Sequence, residues 1–152
     1  MNPIAELLTP ANIALDVDAD SKARLFDEAG ALFERSSGLA RTTISGSLAA
    51  REKLGSTCLG QGIVIPHGRI KGLAKATGAF IRLATPIAFG APDGKPVGQL
   101  FVLLVPEHAT EEHLQLLSEL AQMFSDRAFR DRLAATANAS ELLDLFRAWK
   151  AA

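Results

Sequence analysis

Cysteine is nearly missing from this sequence. Cys58 is alone among 152 residues, so no internal disulfide framework can form. Excess charge of either sign is also lacking. Sixteen basic and 17 acidic residues leave a net charge of −1, with the two signs interspersed. A nucleic-acid binder would need a basic face to neutralise phosphates, so that class of partner is excluded. No apolar run approaches the roughly 20 residues that cross a bilayer. The opening Met1-Asn2-Pro3-Ile4-Ala5-Glu6 lacks the basic start and apolar centre of a signal peptide, so a cytoplasmic protein without membrane insertion is expected. There is no GxxxxGK[ST] loop, which argues against direct use of ATP. Internal repeats, low-complexity tracts and linkers are absent too.

What is present suits one ordinary domain spanning residues 1–152. Apolar residues make up 48% and charged residues 22%, enough to bury a core and too few charges for general disorder. Ile13-Ala14-Leu15-Asp16-Val17 alternates as a short strand does. Asp20 or Ser21 can cap a helix running to about Arg35, with Leu25, Ala29, Leu32 and Phe33 at helical spacing. Thr42 or Thr43 can cap a second helix ending at Gly55. Residues 55–62 read as a loop. Ile63-Val64-Ile65 reads as a short buried strand that Pro66 ends. Strands are expected over Thr77–Leu83, Ile87–Phe89 and Val97–Val105, with a hairpin turn at Asp93-Gly94. The last of these strands is apolar throughout and should be central, buried on both faces. Helices follow from Glu111 to about Phe124, from Arg127 to about Ala135 after an Asp126 cap, and from Glu141 to Trp149 after a Ser140 cap. Strands enclosed by helices at both ends imply an α/β fold, a three-layer α/β/α sandwich around a mixed sheet. Strand order does not follow from the pattern.

The chemistry-bearing residues are few. Of the three histidines, His67 follows a proline at a strand end and precedes Gly68, the kind of position where α/β proteins place ligands. Its imidazole titrates near neutral pH and can act as a nucleophile, and Gly68 would let a bulky group approach closely. The same tripeptide also suits a plain turn with an idle ring. His113 sits in the first turn of its helix and shares a face with Leu116, Leu117 and Leu120. It fits a locally bonded core residue, or a group beside an anion held at the helix N-terminus. His108 lies in a loop and reads as solvated. Arg51 offers a rigid donor fork suited to phosphate, and Ser56 and Thr57 add hydroxyls beside it. A Cys58–His67 nucleophile pair has no sign of a lowered thiol pKa behind it. A zinc site built on Cys58 fits no usual ligand spacing, so no metal is expected.

Several of these segments together resemble a known family. Arg51-Glu52-Lys53-Leu54-Gly55-Ser56-Thr57, Gly60-Gln61-Gly62-Ile63-Val64-Ile65-Pro66-His67-Gly68, Thr85-Pro86-Ile87-Ala88-Phe89, Pro96-Val97, Leu103-Leu104-Val105-Pro106 and Glu112-His113-Leu114 are similar to the enzyme IIA domain of the fructose/mannitol class of the bacterial phosphoenolpyruvate phosphotransferase system. The likeness runs from about residue 5 to 148. The Gly-Ser-Thr and Thr-Pro-Ile-Ala-Phe segments resemble its nitrogen-regulatory branch more than its sugar-transport branch. The resemblance implies a phosphotransferase component with a mixed sheet flanked by helices and no cofactor. It implies that His67 accepts a phosphoryl group, on Nε2, from an HPr-like phosphocarrier protein, that His113 assists, and that Arg51 lies near the group, with Ser56 and Thr57 as further phosphoryl-binding candidates. It leaves two functions. One is a regulator whose phosphorylation state selects target proteins, among which potassium transport or sensor proteins are family possibilities. The other is a stand-alone IIA component passing phosphate to a IIB domain for fructose/mannitol-type sugar uptake. The lack of IIB or IIC sequence favours the first. Two positions depart from the family pattern: Val64 replaces a usual alanine, and Cys58 replaces a glycine common in the nitrogen branch.

Overall fold

Two apolar periods sort the chain into strands and helices, and the computed structural model, which describes residues 2–150, gives them this order. After two 3-10 turns come β1 (Ile13–Val17), α1 (Lys22–Ser37), α2 (Arg41–Leu54), β2 (Cys58–Gly60), β3 (Ile63–Val64), β4 (His67–Ile70), β5 (Thr77–Ile87) and β6 (Val97–Pro106). Helices α3 (Glu111–Phe124), α4 (Arg127–Ala135) and α5 (Ala139–Ala148) complete the chain. The sheet runs β1-β5-β6-β3-β2, with β4 also paired to β6. It is mixed: β5 lies antiparallel to β6, while β3 and β4 lie parallel to it end to end, in register with residues 99–100 and 103–106.

Alternation along β6 builds a core on each side. Leu100, Val102 and Leu104 pack with Val64, Ile81 and the α1–α2 residues Leu25, Phe33, Ile44 and Leu48. Phe101, Leu103 and Val105 pack with Ile63, Ile65 and the α3–α5 residues Leu116, Leu120, Leu133 and Phe146. The apolar run is thus a central strand buried on both faces, and the sandwich has three layers. Among the described residues no helix is long and apolar enough to cross a membrane.

Several local expectations change. Ser21 and Asp126 do cap α1 and α4. Helix α2, however, starts at Arg41 with no side-chain cap, because Glu34 of α1 accepts the Arg41 N–H instead of Thr42 or Thr43 doing the work. Helix α5 is capped by Asn138, which accepts from Glu141 N–H at 2.9 Å, rather than by Ser140. The expected loop 55–62 contains β2, held by β3. Strand β5 continues to Ile87 through a register shift, and Phe89 lies outside it. Most relevant to function, β3 stops at Val64, ahead of Pro66, and a further strand follows directly. Pairing with β6 resumes at His67, opposite Leu103, since a proline costs a parallel ladder one donor and leaves its carbonyl free to accept.

Candidate functional site

The break between β3 and β4 places His67. Pro66 O accepts from Leu103 N–H at 2.9 Å and so holds the break against β6. Ile65 N–H donates to Thr57 O at 3.1 Å. The Ile65 carbonyl accepts from His67 Nδ1 at 2.8 Å. A carbonyl can only accept, so Nδ1 carries the ring hydrogen and Nε2 keeps its lone pair in the neutral ring. Burial pushes the His67 pKa down. The Ile65 bond opposes that shift, the Arg51 charge adds to it, and Glu52 opposes it. His67 is only 8% exposed, and that burial favours its neutral form.

His113 comes from the opposite layer. It is 9% exposed, and its ring centroid lies 5.2 Å from that of His67 with the planes at 68°. Its pKa also falls, first through burial, then through His67, Arg69 and Arg51. Its Nε2 is buried and has no hydrogen-bond partner among the described residues. A buried polar atom without a partner is costly unless something supplies one.

Both rings line a cleft of about 460 Å³ at the sheet edge. Helix α2 contributes Ser47, Ala50, Arg51 and Leu54, and β4 contributes Gly68 and Arg69 beside His67. Arg51 donates to Gly55 O at 3.0 Å, which leaves most of its fork free. Leu54, on the cleft rim, stands 84% exposed. Two other hollows, of about 320 and 360 Å³ around Glu6, Leu7, Lys75 and Ala76, hold neither histidine nor arginine. The edge cleft therefore combines an imidazole whose Nε2 carries no hydrogen with two guanidinium groups and an unsatisfied imidazole nitrogen. Chemically it can receive an electrophile that carries negative oxygens.

The structure brings His67, His113 and Arg51 together but leaves Ser56 and Thr57 outside the cleft lining. The Thr57 hydroxyl is buried and donates to Glu52 Oε1 at 2.5 Å, and Ser56 Oγ accepts from Cys58 N–H at 3.1 Å. Arg69, which no sequence motif singles out, lies two residues beyond His67, the period that keeps strand side chains on one face. It donates to the carbonyls of Glu107 and Ala109, just ahead of α3. Gly68 lines the cleft and also has a packing role. A Cβ there would meet Ser47 Oγ at 2.3 Å, so the glycine lets α2 lie against β4. His108 is exposed and pairs with Glu107 at 3.3 Å. Cys58 is half-buried, and desolvation raises its thiol pKa, which keeps it protonated. No group of three or more His, Cys, Asp or Glu side chains among the described residues could hold a metal ion.

Similarity to known proteins converges on one family. Residues 6–149 match the profile of the family described as phosphoenolpyruvate-dependent sugar phosphotransferase system, EIIA 2. The chain is 43% identical over 143 residues to a nitrogen regulatory protein of Pseudomonas aeruginosa, covering 93% of each chain. The crystal structure of the nitrogen regulatory protein IIA-Ntr of Neisseria meningitidis superposes with a TM-score of 0.89 at 52% identity, over 95% of this chain and 99% of that one. The mannitol IIA of Escherichia coli superposes with a TM-score of 0.76 at 26% identity, over 91% and 97% of the respective chains.

Proposed function

Because the chain belongs to the EIIA 2 family of the phosphoenolpyruvate-dependent sugar phosphotransferase system, we propose that it carries a phosphoryl group on His67 Nε2, received from a phosphohistidine of an HPr-like carrier. The observation behind this reading is the tautomer: Nδ1–H is tied to the Ile65 carbonyl, and Nε2 is left to attack. In the transfer, the N–P bond of the donor breaks as the Nε2–P bond forms. The phosphoryl group leaves a ring-protonated phosphohistidine, which departs as neutral imidazole. It lands on neutral His67, which becomes the ring-protonated phosphohistidine. Positive charge therefore grows on the His67 ring during the step, and the Nδ1–H···O bond strengthens with it. That gain is larger in the transition state than in the ground state, which is what accelerates a reaction. Catalysis of a loose phosphoryl transfer is otherwise positioning and charge. Arg51, Arg69 and His113 line the cleft where the equatorial oxygens would sit.

Identities of 52% and 43% with nitrogen regulatory proteins, against 26% with the mannitol protein, favour a regulatory role over sugar uptake. A phosphoryl group of roughly −1.5 to −2 charges beside the exposed Leu54 of the cleft rim would weaken an apolar contact with one partner and favour another. His67→Ala should take no label from phosphoenolpyruvate, enzyme I and the HPr-like carrier. The wild-type label should be lost in acid and kept in base, as an N–P bond requires. Full labelling of His67→Ala, or an acid-stable label, would overturn the assignment. Pull-downs with both phosphorylation states, read by mass spectrometry, test the regulatory role.

A further inference from the structure

Glu52 is an oddly placed carboxylate. It stands in the last turn of α2 between Arg51 and Lys53, where the helix dipole favours cations and disfavours an acid. It does not line the cleft. Both of its oxygens are nevertheless engaged by one residue: Oε1 accepts the Thr57 hydroxyl at 2.5 Å, and Oε2 accepts the Thr57 N–H at 3.3 Å. Thr57 is 8% exposed, and its carbonyl accepts the N–H of Ile65 at 3.1 Å. Ile65 in turn supplies the carbonyl that holds His67 Nδ1–H at 2.8 Å. The Ile65–Pro66 break is thus gripped on one side by β6, through Leu103, and on the other by Thr57, next to the Cys58–Val64 pair of β2 and β3.

We propose that Glu52 is a positioning residue for His67, acting through Thr57 and the Ile65 backbone to hold the carbonyl that fixes the imidazole. The proposal rests on His67 being the phosphoryl acceptor and adds the group that sets its tautomer and aim. Glu52 acts on the His67 ring, through the geometry of this chain and with a smaller charge effect that opposes the lowering of its pKa, and not on the phosphoryl group. When it is removed, the Ile65 carbonyl drifts, Nδ1–H loses its acceptor, and the lone pair no longer stays on Nε2. Misplacement by about 1 Å at a reacting atom costs up to about a hundredfold in rate.

The test uses Glu52→Ala, Thr57→Val and the double variant, with Glu52→Gln as the conservative change that keeps one oxygen for the Thr57 hydroxyl. Rapid-quench transfer from the HPr-like donor should slow about tenfold or more in each single variant with KM nearly unchanged. The double variant should be no slower than the worse single one, since both cut the same route, and Glu52→Gln should recover part of the rate. Nitrogen-15 NMR of the unphosphorylated protein should show His67 moving from the Nδ1–H form toward a mixture of tautomers. A wild-type rate in Glu52→Ala would overturn the proposal. So would an unchanged tautomer, or fully additive losses in the double variant. The NMR measurement needs no donor. A wild-type protein that takes no label would therefore sink the carrier reading while the tautomer still decides the role of Glu52.

Discussion

At the residue scale, the candidate site depends on the Ile65-Pro66 step that separates β3 from β4. Pro66 leaves Ile65 outside the β3 and β4 pairing, which frees its carbonyl for the His67 ring. His113 is the complementary case, a ring nitrogen buried with nothing to bond. A phosphoryl oxygen bound in the shared cleft within hydrogen-bond distance of this nitrogen would relieve it. Such a charge-assisted bond is worth about 1.5–3 kcal/mol, and each 1.36 kcal/mol is about tenfold in rate. His113→Ala should slow transfer to His67 by about ten- to a hundredfold while still allowing full labelling given time. Rapid-quench kinetics decide this, and an unchanged rate would make His113 a core residue only.

At the element scale, the seam between α2 and β4 carries the site, because Arg51 lies on one and His67 on the other. Gly68 sets their spacing against Ser47. Gly68→Ala would push the elements apart, at the roughly 1–3 kcal/mol typical of overpacking, and should lower both the urea midpoint and the transfer rate. Ser47→Ala removes the clashing hydroxyl, so the double variant should regain most of both. A double variant no better than Gly68→Ala would show that the seam is not where the damage lies. The same seam marks the limit of what sequence pattern reveals. Helices α1 to α5 were legible because their periodic apolar faces are local signals, and β6 because its apolar run was long. Strands β2 and β4 were not, because three or four residues carry no period and their ladders are supplied by distant partners. His67, His113 and Arg51 stood out by chemistry and by family likeness. Arg69 and Glu52 did not, because the carbonyls and the hydroxyl they bond come near only in the folded chain.

For the whole molecule, placing two histidines in the low-dielectric edge between two layers ties stability to pH. Both His67 and His113 have pKa values pushed below 6.5 by burial. In the unfolded chain they titrate near 6.5. Between the unfolded and folded values the unfolded state binds more protons, so unfolding free energy rises with pH across that window. The stabilising contribution is thus complete above about pH 6.5 and is lost as pH falls through the folded pKa values. The carboxylates Asp27, Asp93 and Asp126 are also lowered, from 3.8, through their hydrogen bonds to Arg41, to the Gln61 amide and to the Phe129 amide. Their loss begins only near pH 4 and below, so the two effects fall in separate windows. Urea midpoints measured from pH 7.5 to pH 5 should decline in the wild type. The decline should be shallower in a His67→Gln/His113→Gln variant, which keeps polar side chains there but cannot take up the protons. Equal slopes in the two proteins would mean that the imidazoles are solvated well enough to charge freely, and the neutral, poised His67 on which the transfer mechanism depends would have to be given up with them.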